Sequence, residues 1–324
     1  MDIVMPVAGL GTRLRPQTWS KPKPLVPVAG KPMLAHVLDR VLPLEPERLV
    51  FITGYLGDQI ESWVTANYDI PAIFVEQPEM RGQTDAIIRV RVHVRDDALI
   101  LFPDALFEAD FTGIATTDAD VITYTIEVDD PSAYGIAVVE NDRVVRLVEK
   151  PQTFISSLAI IGIYYVRSMP DLYEAIEEQF ARKLALKNEY FIADAIQLMI
   201  DGGKKVVTSV VDEWKDCGND ATLLDTNRYL LDTMQHASES TDSVIIQPSF
   251  VSPLAVIERS VIGPYASIGD RTHIRDSIVR DSIIDTDARV DAANVTRSII
   301  GRGAEVIGQP ASLNVSDSSK VGLP

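Results

Sequence analysis

Short apolar runs alternate with amphipathic stretches through the N-terminal part of the chain. The runs Ile3–Val7, Leu49–Thr53, Ala72–Val75 and Leu99–Phe102 have the length and composition of buried strands. Between them, Met33–Val41, Asp58–Asn67 and Thr84–Val94 carry apolar residues at helical spacing. Alternation of this kind predicts βαβ units, hence an α/β, Rossmann-like, mostly parallel sheet with helices on both faces. Hairpin-like strands follow at Gly135–Glu140, Val144–Glu149 and Ala159–Val166, and helices return at Pro170–Phe180, Glu189–Ile200 and Ala221–Met234.

The pattern changes after the polar stretch 236–243. Ile262, Ile268 and Ile274 fall six residues apart, as do Ile284 and Val290, and Ile300 and Val306. A serine followed by two aliphatics recurs at Ser260, Ser277, Ser282 and Ser298. A six-residue period does not match the 3.6 of an amphipathic helix, and β-branched residues dominate. The repeat therefore predicts a short left-handed parallel β-helix of hexapeptide type, about three or four coils long. The expected organisation is a catalytic domain at 1–236, a linker at 237–250, the β-helix at 251–310 and a polar tail at 311–324.

Composition narrows the functions open to this chain. At 324 residues and 46% hydrophobic it can bury a full core. A formal net charge of −17 disfavours nucleic-acid backbones and anionic membranes as partners. Cys217 is the lone cysteine, which excludes an intrachain disulfide framework and fits a reducing cytosol. With neither a membrane-length apolar run nor a basic n-region at its start, the chain is expected to be cytoplasmic. Locally the charge reverses: Met1–Leu34 holds Arg13, Arg15, Lys21, Lys23 and Lys31 against the single acid Asp2. Either this is a solvated basic loop, or it is a pocket for a small polyanion such as a phosphorylated metabolite.

The strand Ile3–Val7 runs into Ala8-Gly9-Leu10-Gly11-Thr12-Arg13. Glycines let the backbone approach phosphate oxygens and aim successive N–H groups at them. A dinucleotide fingerprint would need a third glycine where Leu14 stands, and a Walker loop would need Gly-Lys-Ser/Thr, absent from this stretch. What remains is a glycine turn followed at once by an arginine, which can fork onto a phosphate. The continuation Ser20-Lys21-Pro22-Lys23-Pro24-Leu25-Val26-Pro27, then Gly30-Lys31-Pro32-Met33, resembles the signature of the sugar-1-phosphate nucleotidylyltransferases. Arg15–Pro27 is similar to the glucose-1-phosphate thymidylyltransferases, whereas Pro6–Gly11 and Pro103-Asp104 look more like UTP–glucose-1-phosphate uridylyltransferases.

The resemblance implies an enzyme that makes an NDP-sugar (dTDP- or UDP-glucose) and pyrophosphate from dTTP or UTP and a sugar 1-phosphate, expected to be glucose 1-phosphate. It implies that Arg13 and Lys23 grip the triphosphate and the leaving pyrophosphate, with Ala8, Gly9, Gly11 and Thr12 along the nucleotide. Gln77 and Gly82 would sit at the base, where a side-chain amide can donate and accept side by side. Asp85, where relatives carry a small residue, would place an acid beside that base. Asp104 and Asp216 resemble the family's Mg²⁺-binding pair, and Gly135, Glu149, Lys150 and Gly162 its sugar-phosphate positions. Alone, Glu149 and Lys150 would read as a charge pair at a strand end. Glu189 and Asp194 resemble the acidic helix start near the sugar.

The histidines show no metal-ligand spacing and are expected on helix, linker or repeat surfaces, with the three tryptophans as packing residues. A homo-oligomer held by the coil's flat faces is expected. Two further readings stay open: a bifunctional enzyme whose β-helix transfers acyl groups, and a non-catalytic regulatory or assembly subunit of the same fold.

Overall fold

The computed structural model describes residues 1–234 and 242–308. Its chain divides into two compact units, Met1–Pro27 with Lys31–Thr226, and Val28–Gly30 with the chain from Asn227 onward. The tail expected at 311–324 and residues 237–241 of the expected linker lie outside the described residues.

The first unit is built on strand β1, Asp2–Pro6, in which Ile3, Val4 and Met5 are wholly buried. After the two-residue strands β2 (Pro27–Val28) and β3 (Lys31–Pro32) come helix α1 (Met33–Val41) and β4 (Arg48–Thr53), parallel to β1. Helix α2 (Gly57–Asn67) leads to β5 (Ala72–Glu76), parallel to β4. The chain then crosses back through helix α3 (Gln83–Ile88), and β6 (Ala98–Leu101) pairs with the other side of β1. Strand order therefore reverses at β1, and open α/β sheets bind ligands outside the carboxyl ends of the strands at such a reversal.

Strand β7 (Ala105–Glu108) follows, then β8 (Val121–Glu127), β9 (Gly135–Glu140), β10 (Arg143–Glu149) and β11 (Leu158–Val166). β11 runs antiparallel to both β6 and β8, so the nine-stranded sheet is mixed, with an antiparallel arm beside the parallel half. Helices α4 (Met169–Ala181) and α5 (Ile192–Asp201) pack on it through Leu172, Ile176, Ile192 and Ile196. Strand β12 (Val206–Val210) pairs with β8; β13 (Glu213–Asp216) pairs antiparallel with β7, and helix α6 (Asp220–Thr233) follows.

Two helices start or stop away from their sequence boundaries for local reasons. The stretch after Ile88 is Arg-Val-Arg-Val-His-Val, whose β-branched residues crowd a helix; it continues as tight turns with Val90 and Val94 buried. The helix expected from Glu189 begins at Ile192, because Tyr190 is held extended by bonds to the Arg81 carbonyl (3.0 Å) and from Thr84 N–H (3.1 Å).

In the second unit, short parallel strands stack into three four-stranded sheets, giving a parallel β-helix. Val244, Val261, Ile278 and Asn294 occupy equivalent positions on one sheet, and Ile268, Ile284 and Ile300 on another. The first strand, Val244–Ile245, lies inside the stretch read from sequence as linker. Ile262, Ile268, Ile274, Val279, Ile284 and Val290 point inward and make the core, which accounts for the six-residue period. The recurring serines act at the corners. Ser260 and Ser277 each donate to the carbonyl two residues earlier and accept an N–H from the next coil, Ser277 and Ala293 respectively. Non-glycine corners such as Asp276, Asp281 and Asp287 adopt left-handed backbone, at φ 50°, 49° and 60°. Asn227 is buried and ties three segments together: its carbonyl accepts from Ala29 N–H and the Ser267 hydroxyl, and its amide donates to the Tyr265 carbonyl.

Candidate active site

The loop after β1 supplies the first half of the site. Each backbone N–H from Ala8 to Arg13 lacks a protein acceptor among the described residues, the next bonds being Val7 to Ile52 and Leu14 to Gly11. A run of unpaired N–H groups at the switch point is a cradle for an anion. A Cβ at Gly9 would meet nothing within 4 Å, so this glycine leaves room for a ligand rather than for protein. Gly11 is held otherwise: it sits at φ +60°, and a Cβ there would lie 3.0 Å from the Lys23 Cβ. Its carbonyl accepts from the Thr18 hydroxyl, which fastens the loop to the lysine segment.

Lys23 reaches across to the loop after β6, where its Nζ lies 3.3 Å from Asp104 Oδ2. Asp216, at the end of β13, pairs in register with Ala105, and Cys217 N–H donates to the Asp104 carbonyl. The two aspartates thus occupy neighbouring backbone positions although far apart in sequence. A Cβ on Gly218 would fall 2.9 Å from both Asp216 carboxylate oxygens and 3.3 Å from an Arg13 guanidinium nitrogen. Gly218 therefore lets the arginine and the acid approach one another, a role its place two residues after the acid could have signalled. Among the described residues no group of three or more His, Cys, Asp or Glu side chains could hold a metal. Two carboxylates beside a phosphate cradle nevertheless fit Mg²⁺, which takes one or two protein carboxylates and completes its shell from phosphates and water. Cys217 itself is wholly buried, and burial pushes its thiol up to about 12, so it is no nucleophile.

These elements enclose a cleft of about 250 Å³ lined by Ala8, Gly9, Gly11, Lys23, Gln77, Gly82 and Asp104, together with Met80, Phe102 and Glu189. Thr12 and Arg13 are exposed and do not line it. Gly82, at φ +106°, is required by protein: a Cβ would stand 2.3 Å from Tyr190 N. Asp85 does not face the cleft as an acid beside a base; its carboxylate is buried between Arg89 (3.1 Å) and the Gln77 amide (3.0 Å).

The sugar-phosphate candidates assemble on the β9–β10 hairpin. Gly135 and Glu149 are cross-strand partners, and a Cβ on Gly135 would lie 2.8 Å from the glutamate's Oε2. Lys150 N–H donates to the Tyr134 carbonyl; its Nζ is 3.0 Å from Glu149 Oε1 and 4.6 Å from the centre of the Phe191 ring. Tyr134 joins this group to the metal candidates: it packs edge-on against Trp214, and burial, then the Asp216 charge, raises its hydroxyl's pKa. Gly162, at φ +79°, accepts from Phe102 N–H and breaks the register of β11 beside the cleft. Asp194 on α5 has its pKa raised by burial and then by Glu149. Two minor expectations change: Trp19 is 63% exposed rather than a packing residue, and His36 is buried rather than on a helix surface.

A model of the nucleotidyl transferase family matches residues 3–233. A glucose-1-phosphate thymidylyltransferase of Streptomyces antibioticus is 28% identical over 94% of this chain and 93% of its own. A UTP–glucose-1-phosphate uridylyltransferase, AglF, of Haloferax volcanii is 30% identical over 66% of this chain and 90% of its own. The bifunctional protein GlmU of Methanocaldococcus jannaschii is 31% identical over 72% of this chain and 55% of its own. A solved UDP-glucose pyrophosphorylase in complex with UDP-glucose shares the fold, with a TM-score of 0.64 at 21% identity over 72% of this chain and 99% of that one. The chain belongs to the nucleotidyl transferase family. It is an enzyme of the nucleotidyltransferase class whose relatives include sugar-nucleotide transferases.

Proposed function

We propose that the protein transfers a nucleotidyl group from dTTP or UTP to a sugar 1-phosphate, glucose 1-phosphate foremost, with release of pyrophosphate. The observation that carries this reading is the unpaired N–H run from Ala8 to Arg13, of which Ala8, Gly9 and Gly11 line one cleft together with Lys23 and Asp104. A phosphate-monoester oxygen is already anionic at neutral pH, so attack on the α-phosphorus needs no general base. The new bond forms from that oxygen to phosphorus, and the bond to the β-phosphate bridge breaks, its electron pair leaving on pyrophosphate. The barrier is to bring two polyanions together, which positioning and neutralising charge lower.

In this reading the loop N–H groups, Arg13 and Lys23 hold the triphosphate, Gln77 and Gly82 face the base, and Lys150 takes the acceptor phosphate. Glu149 and the Gly135 backbone hold sugar hydroxyls. Asp104 and Asp216 would hold Mg²⁺, which neutralises phosphate charge when bound. The ion pair between Lys150 and Glu149 then exchanges for contacts to substrate, the carboxylate keeping the lysine aimed meanwhile.

The test is pyrophosphate release with dTTP, UTP, CTP, GTP and ATP against glucose, N-acetylglucosamine and mannose 1-phosphates. Asp104→Asn is expected to lower kcat/KM by roughly 10²–10³-fold, in line with loss of one charge-stabilising group. An unchanged rate sinks the site. Turnover of acetyl-coenzyme A would instead support acyl transfer by the coil, and no release with any pair would support a non-catalytic subunit. A homo-oligomer is part of the proposal, supported by exposed Val244, Ile278 and Ile307 on the coil; light scattering checks it.

A further inference from the structure

Gln77 is 4% exposed and lines the cleft. Its backbone is fixed at the end of β5, where its N–H donates to the Thr53 carbonyl at 2.7 Å. Its side-chain nitrogen makes two bonds, to the Gly82 carbonyl at 3.1 Å and to Asp85 Oδ2 at 3.0 Å. An amide nitrogen carries two hydrogens, so both are committed to protein. The side-chain oxygen accepts no hydrogen bond among the described residues and is not among the buried atoms left without a partner. It is therefore an acceptor open to the cleft.

The orientation of the amide follows from the chemistry of its neighbours. Turning it over would set its oxygen against a carbonyl and a carboxylate, three acceptors with no hydrogen between them. Asp85 can serve only as acceptor while it is ionised, and Arg89, one helical turn on, holds it with contacts at 3.1, 3.3 and 3.4 Å. The acid that sequence places beside the base is thus spent on the amide behind it. The amide no longer donates and accepts side by side, as its residue type alone would suggest.

We infer that Asp85, backed by Arg89, is the specificity-determining positioning residue of the nucleotide pocket. It locks Gln77 as a one-way acceptor, so the pocket selects a base that offers an N–H at this point and rejects one that offers a lone pair. Uracil and thymine carry an N–H at ring position 3; cytosine carries a lone pair at the same place. The inference rests on the nucleotide reading of this cleft.

The experiment is nucleotide binding by isothermal titration with UTP and CTP, for the native protein and for Asp85→Asn. Alongside it, the exchange of the Gln77 side-chain amide protons is followed by NMR. The native protein should bind UTP roughly 10²-fold more tightly than CTP, because a buried acceptor facing an acceptor is left unpaired. The carboxamide introduced by Asp85→Asn could donate as well as accept and would free the Gln77 amide to turn. The UTP-to-CTP ratio should fall at least about tenfold in that variant, and the Gln77 amide protons should exchange faster. Equal binding of UTP and CTP by native protein, or an unchanged ratio in a folded variant, overturns the inference. Should the variant not fold, the native ratio and amide exchange decide alone. Discriminated binding without pyrophosphate release would overturn the proposed reaction and leave this inference standing. Pyrophosphate release with undiscriminated binding would do the reverse, and binding of neither nucleotide would overturn both.

Discussion

Two glycines of the cleft look alike in the sequence and do different work. Gly9 has open space where a Cβ would go, while Gly82 has the Tyr190 backbone there. Gly9→Ala should therefore leave the melting temperature within about a degree or two while lowering kcat/KM by at least roughly tenfold, since in the proposed site the methyl would meet only substrate. Gly82→Ala combines a clash with a left-handed φ and should destabilise the fold by about 2 kcal/mol or more. Thermal melts beside activity assays separate the two; a Gly9→Ala enzyme with full activity would remove the cradle from the mechanism. Much at this scale was legible: Gly9, Gly11, Lys23 and Asp104 come to one cleft as their motifs imply. What could not be read was the direction in which a side chain spends its hydrogen bonds. Asp85 reads as an acid beside the base until Arg89 and Gln77 are seen around it.

Among the elements, four strands announced themselves as continuous apolar runs, and β1, β4, β5 and β6 stand within a residue or so of expectation. β7 and β13 did not. Glu-Trp-Lys-Asp carries no apolar alternation, and its strand exists because Ala105–Glu108 offers a partner, so a tertiary pairing decides it. That pairing is also what brings Asp216 beside Asp104, a relation no local pattern encodes. Helix α5 carries a further consequence. Asp194 lies partly buried with Glu149 near, and its carboxyl pKa is raised above the ordinary 3.8, first by burial and then by that charge. A raised acid binds its proton more tightly in the folded state. The penalty is thus absent below the unfolded pKa, grows as pH rises towards the folded one, and stays constant above it. Asp194→Asn removes the charge, so the variant should melt higher than the native protein at pH 7, with the gap narrowing towards pH 4. A gap independent of pH would mean the carboxylate is not the cause.

At the scale of the molecule, the fold joins two kinds of stability. The catalytic unit has a core drawn from distant parts of the chain, with Val4, Ile100, Val121 and Ile196 in one cluster. The coil is quasi-one-dimensional, each turn resting on its neighbours, so its stability is nearly a sum of adjacent contacts. Its surface repeats the logic, with Arg259 paired to Asp276 and Arg271 to Asp287 on successive turns. These exposed pairs add little individually, and the inward aliphatics carry the weight. Ile284 is 1% exposed and lies between Ile268 and Ile300 on one sheet. Ile284→Ala should cost the coil about 2–5 kcal/mol, the lost transfer energy plus the cavity left behind. Because contacts run only between adjacent turns, the loss should be local. Hydrogen exchange should quicken at 266–268 and 299–300, the strands on either side, while the amides of β1 and β6 keep their protection. Equal loss across β1 and β6 would show that the coil and the α/β sheet share one cooperative core, contrary to their separate clusters of buried side chains.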